Sequence, residues 1–371
     1  MARLSREYLV LLGAHFFFFL NFSELILLPK YFLEIGLKPS TIGLLMGAFS
    51  ISVLVSLPAA GLLSEKIPRK ALFMAGTVLL AAPTMLYGMF SDSLYGLFML
   101  RILQGIGFSS AFGIIGAMAA EAGDPGERKL LLGILTVAGI MTHAIGPTLG
   151  EFLIRSWGYS ALFASAGSFG LFAFLLSCLL PLRISSDWSG LRGVNMAPAL
   201  GTASLVLGAV FGSVIVFLPP FLMIRGIPDS SPFFISFVSG SILVWTVLYR
   251  RIRALSGGIS WSVSSGLLVL LLLCIPWVDQ ELVFIGLSLL FGVGYGYLYP
   301  TLNASMIAVN PNHQGIANAL FVWSFNVGML VASVGFGYLC EVIGYVAAFQ
   351  TVGVTGVCLM MVLGVVRKKD D

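Results

Sequence analysis

Long apolar runs broken by short polar stretches dominate this chain. A membrane-spanning helix needs about 20 mainly apolar residues. Twelve runs meet that need, over 7–29, 39–62, 71–90, 94–119, 130–154, 160–181, 196–221, 232–250, 260–279, 282–308, 315–339 and 345–367. Turn chemistry separates several of them, at Lys38-Pro39-Ser40, Gly123-Asp124-Pro125-Gly126, Ile227-Pro228-Asp229 and Asn310-Pro311-Asn312. The pattern predicts an all-α integral membrane protein of twelve transmembrane helices, here called spans 1 to 12.

The pattern also repeats. Gly105-Ile106-Gly107 in span 4 returns as Gly292-Val293-Gly294 in span 10, an offset of 187. Gly158-Tyr159 and Phe163 at span 6 return as Gly344-Tyr345 and Phe349 at span 12, an offset of 186. Each half then holds six spans. An even number gives both halves the same orientation, a parallel repeat about an axis along the membrane normal. The expected organisation is two pseudo-symmetric six-helix bundles, 1–182 and 195–371, joined by a polar cytoplasmic loop over 183–194.

Composition narrows the class. Of 371 residues, 58% are hydrophobic and 10% charged, with mean hydropathy +1.01. Soluble domains carry about 25% charged residues, so a soluble fold and intrinsic disorder are both excluded. Cys178, Cys274, Cys340 and Cys358 lie inside apolar runs and read as buried small hydrophobes, not as a disulfide framework. Three scattered histidines form no metal cluster, and no cofactor is expected.

Position tells more than net charge. With both termini cytoplasmic, fifteen of the twenty Lys and Arg residues fall on the cytoplasmic side. Lys30, Lys38, Arg155 and Arg225 fall outside, and Arg101 falls within a span. Arg3 and Arg6 precede an apolar run too long for a signal peptide, so this run reads as a retained first span. A multi-pass protein of the cell's inner membrane is expected. The chain has no Gly-x-x-x-x-Gly-Lys phosphate loop, which argues against an ATP-driven pump. No nucleophile–base pair supports an enzyme. The expected partners are a small-molecule substrate, protons and the lipid bilayer, with no nucleic acid, for a protein acting as a monomer.

Charges inside spans are costly and mark function or pairing. Glu24 and Arg101 are the two away from span ends. At 1.5 Å rise per residue they lie about 7 and about 10 Å below the outer ends of spans 1 and 4. Their matching depths suggest an ion pair, if those spans are neighbours. Protonation of the carboxylate would break such a pair and change which packing is favoured. A static salt bridge is the plainer reading. Asn21 lies one turn below Glu24 on the same face.

Span 5 holds Gly133, Gly139, His143, Gly146-Pro147 and Gly150-Glu151. Such a helix either gates or simply packs closely. Spans 10 and 11 supply Tyr295, Tyr297, Tyr299, Asn303, Trp323 and Asn326, suited to a lipophilic or amphiphilic solute or to the membrane interface.

These features resemble the major facilitator superfamily and, more loosely, its drug:proton antiporter-like branch. The superfamily pattern G-x-x-x-[DE]-[RK]-x-G-[RK]-[RK] is met by Gly61, Glu65, Lys66, Arg69 and Lys70, with Pro68 in place of the second glycine. The pattern R-x-x-Q-G-x-G is met in full by Arg101, Gln104, Gly105 and Gly107. The antiporter signature G-x8-G-x3-G-P-x2-G-G is met at Gly133, Gly146, Pro147 and Gly150 but not at Thr142 and Glu151.

The resemblance implies alternating access about a central cavity lined by spans 1, 4, 7 and 10, with spans 3, 6, 9 and 12 facing lipid. It links Arg101 to proton coupling. The expected activity is proton-coupled efflux, with Glu24 and Arg101 coupling. Substrate contacts are expected from Asn21, Gln104, His143, Tyr295, Tyr299, Asn303, Trp323 and Asn326. Gating is expected from Gly61, Glu65, Arg69, Gly146, Pro147 and Gly150, with Glu121 or Asp124 as partner of Arg69. A metabolite uptake permease or facilitator is the alternative, and a transport-dead membrane sensor a remote one.

Overall fold

A computed structural model describes residues 5–123, 126–182, 195–248, 257–311 and 313–370. Within these, the side chains of Lys129, Leu248, Gly257, Gln314 and residues 362–370 are not described. The predicted central loop 183–194, Arg3, Asp124, Arg250, Arg251 and Arg253 lie outside the described residues. The side chains of Lys129, Arg367, Lys368 and Lys369 do too.

All regular structure among the described residues is helical, and each of the twelve predicted spans is occupied by a helix. Among the described residues, eight helices are long and apolar enough to cross a membrane: Arg6–Glu34, Pro39–Leu63, Leu94–Glu121, Leu130–Trp157, Tyr159–Cys178, Pro198–Ile224, Glu281–Ala308 and Gly315–Ile343. The remaining spans are the shorter Arg69–Met85, Ser231–Leu243, Gly257–Leu273 and the terminal Tyr345–Asp370.

Span 1 is longer than its hydropathy predicts, and it is interrupted. An α-helix over Arg6–Glu24 passes through a 3-10 turn over Leu25–Leu27 into a second helix over Leu28–Glu34. The cause lies in the sequence. Pro29 has no N–H to offer the Leu25 carbonyl one turn back. The Leu28 N–H takes that carbonyl instead, which tightens the backbone locally. The break therefore falls directly after Glu24.

The chain divides into two compact units, Met1–Tyr31 with Ala48–Trp188, and Phe32–Gly47 with Ser189–Asp371. The sequence repeat reappears as matching geometry in each. Gly158 and Gly344 both hold φ of +79°, the left-handed region that favours glycine, where one helix turns into the next. Ser5 Oγ donates to the Ala122 carbonyl at 2.8 Å, tying the start of span 1 to the end of span 4. In the second half the Asn195 N–H donates to Asn310 Oδ1 at 2.7 Å, tying span 7 to span 10. Tyr31 packs on Tyr159 and Phe163, and Phe221 packs on Tyr345 and Phe349.

Small residues at the helix contacts let the backbones approach closely. A Cβ on Gly294 would meet the Ser264 carbonyl at 2.6 Å, and one on Gly105 would meet the Phe49 carbonyl at 2.6 Å.

Candidate functional site in the first half

Glu24 is fully buried. The Ser165 hydroxyl in span 6 donates to its Oε1 at 3.1 Å, while its Oε2 has no hydrogen-bond partner among the described residues. Asn21, also fully buried, donates from Nδ2 to the Ala166 carbonyl at 2.5 Å and leaves its Oδ1 without a donor. Both side chains thus turn toward span 6.

This geometry corrects the expected Glu24–Arg101 pair, which does not form. Arg101 is buried, donates from Nη1 to Gln104 Oε1 at 2.9 Å and lies 4.5 Å over the Phe49 ring. Gln104 Oε1 also accepts from the Tyr87 hydroxyl at 2.6 Å, and its Nε2 donates to Thr84 Oγ1 at 2.9 Å. Gln104 therefore belongs to a buried network between spans 3 and 4. The depth estimate took no account of the azimuth around each helix, and azimuth decides the partner.

The structure adds residues that the sequence reading passed over. Spans 1 and 5 are joined by polar contacts along their length. The Tyr8 hydroxyl donates to the Leu131 carbonyl at 2.6 Å, and His15 Nε2 meets the Leu135 carbonyl at 3.0 Å. Ser23 Oγ and Thr142 Oγ1 share a hydrogen bond at 2.9 Å. Lys30 Nζ donates to Glu151 Oε2 at 2.6 Å, with both side chains only 5% exposed.

The glycines of span 5 complete the seam. A Cβ on Gly146 would stand 2.7 Å from Ser23 Cβ and 3.0 Å from the Glu24 nitrogen. One on Gly150 would stand 2.7 Å from Leu27 Cδ1. Pro147 is buried beside them.

The remaining first-half candidates are spread out. His143 is half-buried, with Nδ1 3.2 Å from the Gly139 carbonyl and its ring edge-on to Phe22. Phe22 belongs to a group with Phe18, Phe19, Phe49, Phe108 and Phe112. That group was signalled only by the Phe16–Phe19 run.

At the other end, Arg69 forms an ion pair with Glu121 inside the first unit. The neighbouring Lys70 donates to the Cys178 and Leu180 carbonyls, both at 2.6 Å. A cation is favoured at such a helix C-terminus. Glu65 makes no ion pair among the described residues, and the space beside Gly61 is open.

In the second half Tyr295 and Tyr299 do come together. Tyr295 stacks on Phe211 at 4.5 Å, and Tyr299 lies 5.3 Å from Tyr295 and 4.8 Å from Phe321. The other three predicted contacts are exposed or hydrogen-bonded to other residues. Trp323 is 45% exposed. Asn303 donates to Asn318 Oδ1 at 2.9 Å, and Asn326 donates to the Val322 carbonyl of its own helix at 2.8 Å.

Comparison with known proteins fits this architecture. The Major Facilitator Superfamily profile matches residues 10–313, and the chain belongs to that superfamily. It is a multi-pass membrane transporter, from a family of transporters and not of enzymes. The chain is 21% identical over 383 residues to the quinolone resistance protein NorA of Staphylococcus aureus (strain MRSA252), covering 97% of this chain and 96% of that one. It is 26% identical over 224 residues to the MFS-type transporter YwoD of Bacillus subtilis (strain 168). That match covers 59% of this chain but only 46% of YwoD, under half of the relative's length. Among solved structures, the nucleoside transporter NupG superposes with a TM-score of 0.80 at 14% identity, over 97% of this chain and 98% of that one. A bacterial homolog of the lysosomal transporter Spinster superposes with a TM-score of 0.74 at 15% identity, over 97% and 96%.

Proposed function

We propose that this transporter exports a lipophilic or amphiphilic solute by alternating access, driven by proton entry, with Glu24 as the coupling carboxylate. The observation that carries the reading is Glu24 itself. It is a fully buried acid beside a helix break, with one oxygen lacking a hydrogen-bond partner and no cation paired to it among the described residues. Burying the charged form of such a group is costly. Gain or loss of its proton therefore changes which conformation is favoured. Discontinuous membrane helices are a recurrent setting for coupling-ion sites.

The Phe211–Tyr295–Tyr299 group supports an apolar, ring-bearing solute, since aromatic faces offer large contact area with few fixed charges. The likeness to NorA favours export. Arg101 keeps the Gln104 network closed, and the Arg69–Glu121 pair restrains the movement of spans 3 and 4 on the cytoplasmic side.

The test uses purified protein in proteoliposomes. A thermal-shift panel of solutes first selects a ligand, because a bound ligand raises stability by mass action. Ethidium serves as the lipophilic cation probe beside the strongest panel member. An imposed pH gradient is expected to drive flux of that solute, and Tyr295→Ala is expected to weaken its binding. Flux indifferent to the pH gradient would overturn the coupling. Accumulation of solute inside intact cells would favour the uptake permease instead.

A further inference from the structure

We propose that Ser23 and Lys30 of span 1, with Thr142 and Glu151 of span 5, are positioning residues that fasten the two helices into one moving body carrying Glu24. The inference rests on the reading of Glu24 as the coupling carboxylate, since its position matters only if its proton does.

Span 5 is rich in small residues through this region, with Gly139, Ala144, Gly146 and Gly150, and its other polar side chains, His143 and Thr148, bond to the backbone of their own helix. Thr142 and Glu151 are the positions where it departs from the glycine-rich signature that it resembles. A polar side chain buried in a membrane needs a partner, and each of these has one on the same neighbouring helix. Thr142 meets Ser23, the residue before Glu24, at 2.9 Å. Glu151 meets Lys30 at 2.6 Å, beyond the 3-10 break.

The two contacts bracket Glu24 on either side of that break. Between them, Gly146 brings its backbone against Ser23 and Glu24, and Gly150 receives Leu27. Sliding or rotating span 1 against span 5 would part a buried ion pair, which is strongly unfavourable. The helix break after Glu24 is a natural hinge, and the Lys30–Glu151 pair restrains it from the far side.

Among its described residues the second half has no copy of this device. The offset of 190 residues that relates Tyr31 to Phe221 and Gly36 to Gly226 places Val214 opposite Glu24 and Pro220 opposite Lys30. The pair thus accompanies the titratable residue and is not a general requirement of the repeat.

The experiment locks the seam covalently. Ser23→Cys and Thr142→Cys are combined in a chain whose four native cysteines are replaced by serine. The double variant is reconstituted and oxidised, and flux of ethidium or the strongest panel ligand is then measured. Helices that move together should tolerate the disulfide, leaving flux within about twofold of the reduced protein. Loss of flux on oxidation, restored by dithiothreitol, would overturn the proposal.

A charge exchange gives an independent readout. Lys30→Glu and Glu151→Lys alone should each lower gradient-driven flux by roughly tenfold or more and change its pH profile. The double exchange should restore both. Failure of the exchanged pair to restore flux in a protein that remains folded and binds the ligand would also overturn it. The underlying reading fails separately: if Glu24→Gln keeps full gradient-driven flux, coupling lies elsewhere, whatever the cross-link shows about the helices.

Discussion

Glu24→Gln is expected to reduce proton-gradient-driven flux to the level of empty liposomes while leaving ligand binding and gradient-free exchange in place. The substitution is nearly isosteric. Its amide oxygen still accepts the Ser165 hydroxyl, the sole side-chain hydrogen bond of Glu24 among the described residues. Its NH2 group replaces an oxygen that has no partner, and Asn21 Oδ1, one turn away on the same face, lacks a donor. The amide therefore costs the fold little, and the melting temperature should hold or rise. What the variant removes is the exchangeable proton. Solute flux with and without an imposed pH gradient, measured beside ligand-induced thermal shift, separates loss of coupling from loss of folding. Full gradient-driven flux in the variant would move the coupling site elsewhere, and His143, half-buried against Phe22, becomes the next residue to replace.

The second large effect concerns stability. Two glycines of the same helix, Gly133 and Gly146, look alike in the sequence but not in their surroundings. A Cβ at Gly146 would stand 2.7 Å from Ser23 Cβ and 3.0 Å from the Glu24 backbone nitrogen, whereas nothing lies within 4 Å of a Cβ at Gly133. Backbone cannot step aside as a side-chain tip can. Gly146→Val should therefore force spans 1 and 5 apart, with an overpacking cost of about 1–3 kcal/mol or more. It should also disturb the Ser23–Thr142 hydrogen bond. Gly133→Val should be close to neutral. Thermal unfolding of both variants in the same detergent checks the contrast, and equal melting temperatures would refute it.

Much of the fold was legible because membrane helices report themselves by hydropathy and closely packed ones by glycine. The Gly105/Gly292 and Gly158/Gly344 repeats marked real equivalences, since each pair does the same packing or turning in its own half. The burial of Glu24 was equally readable, for it lies inside the apolar run 7–29. Its partner was not, because spacing along a helix gives depth, while contacts depend on which neighbouring helix that face meets.

Lys30 shows a further limit. The predicted span 1 ends at residue 29, so Lys30 read as an outer-loop cation. The helix instead continues to Glu34 and buries Lys30 against Glu151, itself read only as a departure from a glycine pattern. Each charge looked anomalous alone and makes sense only as half of a pair 121 residues apart in the sequence. The aromatic residues of spans 10 and 11 behaved likewise. Tyr295 and Tyr299 share a face, but Trp323 points away from Phe321 and Phe325 on its own helix, which the inventory of residue types did not distinguish.

The buried charged residues among those described, Glu24, Lys30, Arg101 and Glu151, all lie in the first half. Lys30 and Glu151 cancel. The electrical balance of the interior then depends on Glu24 against Arg101: neutral when Glu24 is ionised, one positive charge when it is protonated. Moving one elementary charge through a membrane potential is worth about 2.3 kcal/mol per 100 mV. A negative cytoplasmic potential would thus pull on the protonated first half and leave the deprotonated one nearly untouched. Voltage and pH gradient would act through the same six helices, and a potassium-diffusion potential imposed at constant pH should accelerate flux in the intact protein but not after Glu24→Gln.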